Sequence, residues 1–175
     1  NVIDGQLISG GLLSIIDPNA GEAAFIAGSG APVGATLGRL SIDAAGHWSY
    51  SVANSQVVYL GPTETRVEQF VVSSIDGTEH TITVTVNGVN DAPTQPANQP
   101  NNIYTVEDWR PHVPGLIGGV TDPDGDALTY SLKQGPANGQ AQISPDGTYT
   151  YVPTLDFYGS DSFVVTVEDG NGGGL

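Results

Sequence analysis

The sequence predicts an all-β protein made of two tandem antiparallel β-sandwiches, the second lacking its last strand. Three observations lead there. Glycine and proline are abundant, at 24 and 12 residues, while only 13% of residues are charged, a balance that favours turns over long helices. Short runs of alternating apolar and polar residues recur with turn signals roughly every 8–12 residues, the rhythm of a sandwich of about seven strands. The second half of the chain then repeats the plan of the first. No segment carries a 3.6-residue period with helix caps.

In the first half, Gly11-Leu12-Leu13-Ser14-Ile15-Ile16 reads as a strand closed by the acidic turn Asp17-Pro18-Asn19-Ala20-Gly21-Glu22. Ala23 to Ile26 reads as the return strand, followed by a Gly-rich loop. Leu37 to Ile42 and His47 to Val52 alternate around Asp43-Ala44-Ala45-Gly46 as a hairpin does. Gln69 to Val72 and His80 to Val86 flank Asp76-Gly77, a second hairpin signal.

The second half opens with strands at Ile103 to Val106 and Leu116 to Val120, ending in Asp122-Pro123-Asp124-Gly125-Asp126. Ala127 to Leu132 returns, Gln140 to Ser144 and Thr148 to Tyr151 flank Pro145-Asp146-Gly147, and Asp161 to Val167 leads to Asp169-Gly170. The halves share anchors: Ser14 to Asp17 with Gly119 to Asp122, and Trp48-Ser49-Tyr50 with Tyr149-Thr150-Tyr151. Glu68-Gln69-Phe70 likewise matches Asp161-Ser162-Phe163, and Asp76-Gly77 matches Asp169-Gly170. The domains read as 1–91, a Pro- and Asn-rich linker 92–100, and 101–175. The second stops just after the turn that would launch its last strand, which would leave a neighbouring edge open. The chain starts and stops mid-pattern, as a fragment of something longer does.

Charge narrows the function. Nineteen acidic residues face four basic ones, for a net charge of −15, so nucleic acid and anionic membrane are poor partners. No apolar run is long enough to cross a bilayer. Cysteine is absent, which removes disulfides and Cys-based metal sites and leaves bound metal as another way to staple a small domain.

The placement of the acids points to a hard cation. Antiparallel strands send successive loops to alternate ends of a sandwich. On that reading Asp17, Asn19, Glu22 and Asp76 emerge at the first domain's entry end, while Glu64 and Glu68 lie before a strand at its exit end. Asp122, Asp124, Asp126 and Asp169 emerge at the second domain's entry end, facing Asn90-Asp91, with Glu107, Asp108, Asp156 and Asp161 at or near its far end. Crowded carboxylates repel unless a cation intervenes, and calcium accepts six to eight oxygens from carboxylates, Asn and carbonyls. The expected interdomain calcium set is Glu64, Glu68, Asn90, Asp91, Asp122, Asp124 and Asp169. Asp17, Asn19, Glu22, Asp76, Glu107 and Asp161 form a secondary group, and Asp126 reads as a turn residue.

The motifs resemble known repeats. Leu40-Ser41-Ile42-Asp43, Gly46-His47-Trp48-Ser49-Tyr50, Asp76-Gly77-Thr78 and Asn87-Gly88-Val89-Asn90-Asp91-Ala92-Pro93 make residues 11–93 similar to a VCBS-type repeat. Val106-Glu107-Asp108, Thr121 to Asp126, Asp146 to Pro153, Tyr158 to Phe163 and Glu168 to Gly173 make residues 101–174 similar to a bacterial cadherin-like repeat. The resemblance implies tandem Ig/cadherin-like sandwiches from a giant calcium-binding surface protein, such as an RTX-type adhesin exported by type I secretion. It also implies interdomain calcium held by Asp122 and Asp124, joined by Asp169, Asn90, Asp91 and Glu68 or Glu64. Val89 departs from the pattern, since cadherin linkers usually carry Asn there.

Other signals lead nowhere. The loop from Asp122 to Asp126 opens like an EF-hand, but Ala127 replaces the required Gly and Lys133 the bidentate Glu. Gly28-Ser29-Gly30 has no helix to make it a phosphate loop, and His47, His80 and His112 lack metal-ligand spacing. No activated nucleophile appears, so a catalytic role is not expected. Trp48, Tyr50, Tyr149 and Tyr151 read as core anchors, and Trp109 as an exposed loop aromatic. The expected function is a calcium-rigidified extender of a secreted bacterial adhesin, partnered by neighbouring repeats of its own chain and serving surface attachment and biofilm formation. The alternative is a module that binds carbohydrate or a protein partner such as another adhesin chain.

Overall fold

The computed structural model describes residues 2–3, 5–16, 23–96 and 113–175. The chain divides into two compact units, Asn1–Val89 and Asn90–Leu175. The boundary precedes Asn90 and Asp91, which the sequence reading kept with the first domain. Both make their side-chain or backbone bonds to the second unit.

Among its described residues the first unit has eight strands in two sheets. β1 (Val2–Ile3), β2 (Gln6–Leu12), β3 (Gly28–Ser29), β4 (Ala31–Pro32), β5 (Arg39–Ile42), β6 (His47–Ala53), β7 (Thr65–Ser73) and β8 (Glu79–Asn87) follow in chain order, with a 3-10 turn at Asn54–Gln56. One sheet runs β1-β2-β6-β5-β3 and the other β4-β7-β8. The period-two alternation of β5 to β8 turns one side of each strand inward. Leu40, Ile42, Tyr50, Val52, Phe70, Val72, Ile82, Val84 and Val86 are buried in one apolar cluster with Phe25, Val57 and Leu60. Each such side chain contributes about 1.5–3 kcal/mol when fully buried. Trp48 packs against the cluster only in part.

Two expectations are corrected in this unit. The Gly-rich stretch is not a loop: β3 pairs with β5 and β4 with β7, so the chain crosses between sheets at Gly30. Such short, glycine-interrupted strands carry no alternation to read. Glu68 does not precede its strand but lies within β7, on the inward side with Phe70 and Val72.

In the second unit, β9 (Val113–Leu116), β10 (Thr129–Gln134), β11 (Gly139–Ile143), β12 (Thr148–Pro153) and β13 (Val164–Glu168) form a sheet β11-β12-β9 and a pair β10-β13. Tyr149, Tyr151 and Val167 are buried, and the Tyr149 ring tilts against Phe163 at 5.6 Å. After β13 the chain turns back, and Leu175 exchanges backbone hydrogen bonds with Val167. The described residues are thus almost wholly strands and turns, an all-β antiparallel fold as expected. Among them no helix is long and apolar enough to cross a membrane. The expected strand at Ile103 to Val106 lies outside the described residues.

The internal repeat seen in the sequence has a physical basis. In the first unit Glu68 accepts hydrogen bonds from the adjacent amides of Leu37 (2.7 Å) and Gly38 (2.9 Å) and from the Tyr50 hydroxyl (2.9 Å). In the second, Asp161 accepts from the adjacent amides of Ala137 (3.0 Å) and Asn138 (2.7 Å) and from the Tyr151 hydroxyl (3.0 Å). Each carboxylate thereby ties the start of a hairpin strand to a tyrosine on its partner. The Tyr151 hydroxyl is pushed up to about 12, by burial first and then by Asp161. We predict that Tyr151→Phe destabilises the second unit by about 1 kcal/mol. Urea unfolding of the two proteins checks this, and an unchanged midpoint would contradict the clasp.

Candidate metal centre

The centre is assembled from three short segments of the second unit. The first is its entry, where Thr94 and Thr121 exchange backbone hydrogen bonds of 2.8 and 2.9 Å. That bridge lays Asn90 and Asp91 beside the loop that starts at Asp122, and the Asp91 amide donates to Asp124 Oδ2 at 2.8 Å.

The second segment is the Asp122 loop. Asp122 Oδ1 accepts from the amides of Asp124 (2.9 Å) and Asp126 (3.2 Å), the local turn that Asp makes with its own backbone. Gly125 at φ 80° permits the curl, in a region that side chains other than Gly rarely enter. Asp122, Asp124 and Asp126 each offer a carboxylate oxygen within 4.8 Å of the others, an acidic triad that could hold a metal ion. Asp126, read as a turn residue only, therefore belongs to the group.

The third segment is the turn after β13. Asp169 is 5% exposed, and its Oδ1 accepts from the amides of Asn171 (2.7 Å) and Gly173 (3.0 Å). Its Oδ2 accepts from Asn90 Nδ2 at 2.8 Å. The Asn90 hydrogen bond is the main reason the Asp169 carboxyl lies below its ordinary value. Asn171 Nδ2 donates to Asp126 Oδ2 at 2.7 Å, joining this turn to the Asp122 loop.

The electrostatics of the centre are unbalanced. Burial, then the charges of Asp124 and Asp122, push the Asp91 carboxyl up. Among the described residues the ion pairs are Asp43–His47 and Arg66–Glu68, so no basic side chain neutralises the group. Asn90 Oδ1, Asp122 Oδ2 and Asp124 Oδ1 are buried and have no hydrogen-bond partner. A buried oxygen left unsatisfied costs about 1–3 kcal/mol, more when charged. Three in one cluster fit a hard cation, which takes oxygen ligands of this kind.

The other sequence candidates among the described residues have contacts of their own within their units. Glu68 is 2% exposed, and besides Leu37, Gly38 and Tyr50 it receives Arg66 Nε at 2.9 Å. Glu64 is exposed, with a long 3.4 Å contact from the Gly61 amide. Asp76 closes its own hairpin turn through Ser74 and Thr78, and Asp161 forms the clasp with Tyr151. Asp17, Asn19, Glu22 and Glu107 lie outside the described residues, as does Trp109. Sequence reasoning missed Asn171 and Gly173, although their positions just after Asp169 in an Asp-Gly turn were a usable signal.

Comparison with known proteins bears on the unit that carries this centre. Residues 90–174 match the bacterial Ig domain. The bacterial Ig match coincides with the second compact unit and includes every residue of the cluster. It supports a bacterial Ig-like repeat there. No curated protein matches the chain. Among solved structures, an endo-fucoidan hydrolase of glycoside hydrolase family 107, MfFcnA4, is similar at 14% identity and TM-score 0.32, covering 97% of this chain and 25% of that one. A second, MfFcnA9, is similar at 15% identity and TM-score 0.29, covering 94% and 29%. The chain thus spans between a quarter and a third of the length of these structures.

Proposed function

We propose that this chain is a non-catalytic, calcium-binding structural repeat region of a large secreted bacterial surface adhesin. The observation that carries the reading is the trio of buried, unpartnered oxygens, Asn90 Oδ1, Asp122 Oδ2 and Asp124 Oδ1. With the carboxylates of Asp91, Asp126 and Asp169, they offer an all-oxygen donor set to an ion that prefers oxygen. Softer metals are disfavoured, because the set contains neither His nor Cys.

The ion's task is mechanical. Asn90 and Asp91 are the first residues of the second unit, and a cation shared with Asp122 and Asp124 fastens that entry segment to the unit it leads into. Without the ion, repulsion among Asp91, Asp122 and Asp124 opposes the same arrangement. Calcium outside the cell would then stiffen each repeat's entry, while a calcium-poor cytoplasm would leave the chain export-competent. The bacterial Ig match and the VCBS-like motifs support the surface-protein context.

Gly173 supplies a test aimed at the geometry of the centre. A Cβ there would collide with Asp169 Oδ2 and come within 2.8 Å of Ala92 Cα and 3.0 Å of Asn90 Nδ2. Gly173→Ala should therefore weaken calcium binding about tenfold or more, about 1.4 kcal/mol, as read by titration calorimetry. Wild-type affinity in this variant would mean that Asp169 and Asn90 do not shape the site.

A further inference from the structure

The longest strand edge among the described residues lies in the first unit. β8 is the outer strand of the sheet β4-β7-β8 and pairs with β7 over nine residues without a register shift. Its ends show which backbone groups are engaged: Ser74 N donates to Thr78 O, and Gly88 N donates to Glu64 O. In an antiparallel ladder the bonded pairs alternate, so His80, Ile82, Val84 and Val86 bond to β7. Glu79, Thr81, Thr83, Thr85 and Asn87 turn their N–H and C=O groups outward, and no described residue bonds to them.

Edges of this kind are usually guarded by Lys, Pro, a bulge or short length. β8 has none of these guards. Its exposed face is also short of charge in a very acidic protein. On that face β7 presents Thr65, Val67, Gln69, Val71 and Ser73, with Val67 57% exposed, and β8 adds three threonines and Asn87. Glu79 is its one charged member.

We propose that β8 is a self-association edge, and that its partner is β8 of a second copy of this chain, antiparallel about a two-fold axis at Thr83. That register is self-complementary. Thr83 faces Thr83, Thr81 faces Thr85, and Glu79 faces Asn87, so no acid meets an acid despite the net charge of −15. The facing residues are all outward-bonding ones, so every free group on the edge gains a partner. Ile82 falls opposite Val84, which keeps both apolar cores on the same side of the joined sheet. Opposed threonines are favourable cross-strand pairs, and the isologous two-fold closes the assembly at two copies. This edge contains none of the proposed cation ligands, so its test is separate from that reading.

The test is sedimentation equilibrium of the whole chain over a range of concentrations, at low salt and at about 0.5 M salt, where charge repulsion is screened. The expected result is a mass rising from 18.0 kDa toward twice that value, more readily in high salt. Thr83→Lys sets like charges opposite each other and should weaken association about tenfold or more. Thr85→Pro removes an outward N–H without touching a bond to β7 and should act likewise. In wild type, the amides of Thr81, Thr83 and Thr85 should gain hydrogen-exchange protection as concentration rises, a readout that stands even if a variant fails to fold. A wild-type mass of 18.0 kDa throughout overturns the proposal, as does association that survives both folded variants. Outward amides whose exchange is independent of concentration overturn it too.

Discussion

Asp124→Ala should abolish the stabilisation that calcium gives the second unit. Asp124 contributes an unpartnered buried oxygen through Oδ1 and holds the Asp91 amide through Oδ2, so one substitution removes a ligand and loosens a second. At free calcium a hundredfold above its Kd, the wild type should gain about 2.7 kcal/mol over the chelated protein, and the variant close to none. Without calcium the two should differ little, because the lost hydrogen bond is offset by relief of the repulsion that raises Asp91. Thermal melts with calcium and with chelator measure both quantities. Asp146→Ala is the control: Asp146 bonds only within its own turn, to Thr148, and that variant should keep the calcium response. An undiminished response in Asp124→Ala would remove the centre from the account.

Glu68→Ala should strongly destabilise the first unit. It leaves the amides of Leu37 and Gly38, the Tyr50 hydroxyl and the Arg66 side chain without their acceptor, all around a residue that is 2% exposed. Breaking a buried charged network from one side costs about 3–5 kcal/mol. Its pH dependence follows from the same contacts. Burial would raise the carboxyl, but the hydrogen bonds from Leu37, Arg66, Gly38 and Tyr50 outweigh it and hold the group below its ordinary 4.5. A carboxyl depressed in the folded state adds stability that is complete above its unfolded value and fades as pH falls through its folded one. Urea midpoints of wild type should therefore fall below about pH 4.5 by a component that Glu68→Ala lacks. A loss under about 1 kcal/mol at neutral pH would show that the network is dispensable.

These two residues mark where the sequence could be read and where it could not. The Asp122 loop, the Asn90-Asp91 entry and Asp169 each stand in a turn whose spacing is visible in one dimension, and the structure brings them together. The sequence reading puts Glu68 just ahead of the strand Gln69 to Val72. Its parity with Phe70 and Val72 instead puts it on the inward side, and only the Tyr50 hydroxyl and two paired amides make a carboxylate tenable there. The hairpins were legible because alternation survives in β5 to β8 and in β11 and β12. β3 and β4 were not, since two-residue strands around Gly30 owe their existence to partners distant in sequence. The free edge of β8 is likewise a property of sheet order, which alternation does not encode.

The claim that a divalent cation fills the oxygen cluster at the head of the second unit can be tested most directly by diffraction from crystals grown in millimolar calcium. The account predicts a strong peak, anomalous at long wavelength, about 2.3–2.6 Å from Asn90 Oδ1, Asp122 Oδ2 and Asp124 Oδ1. Ordinary water at that position, or side chains turned outward to solvent, would contradict it.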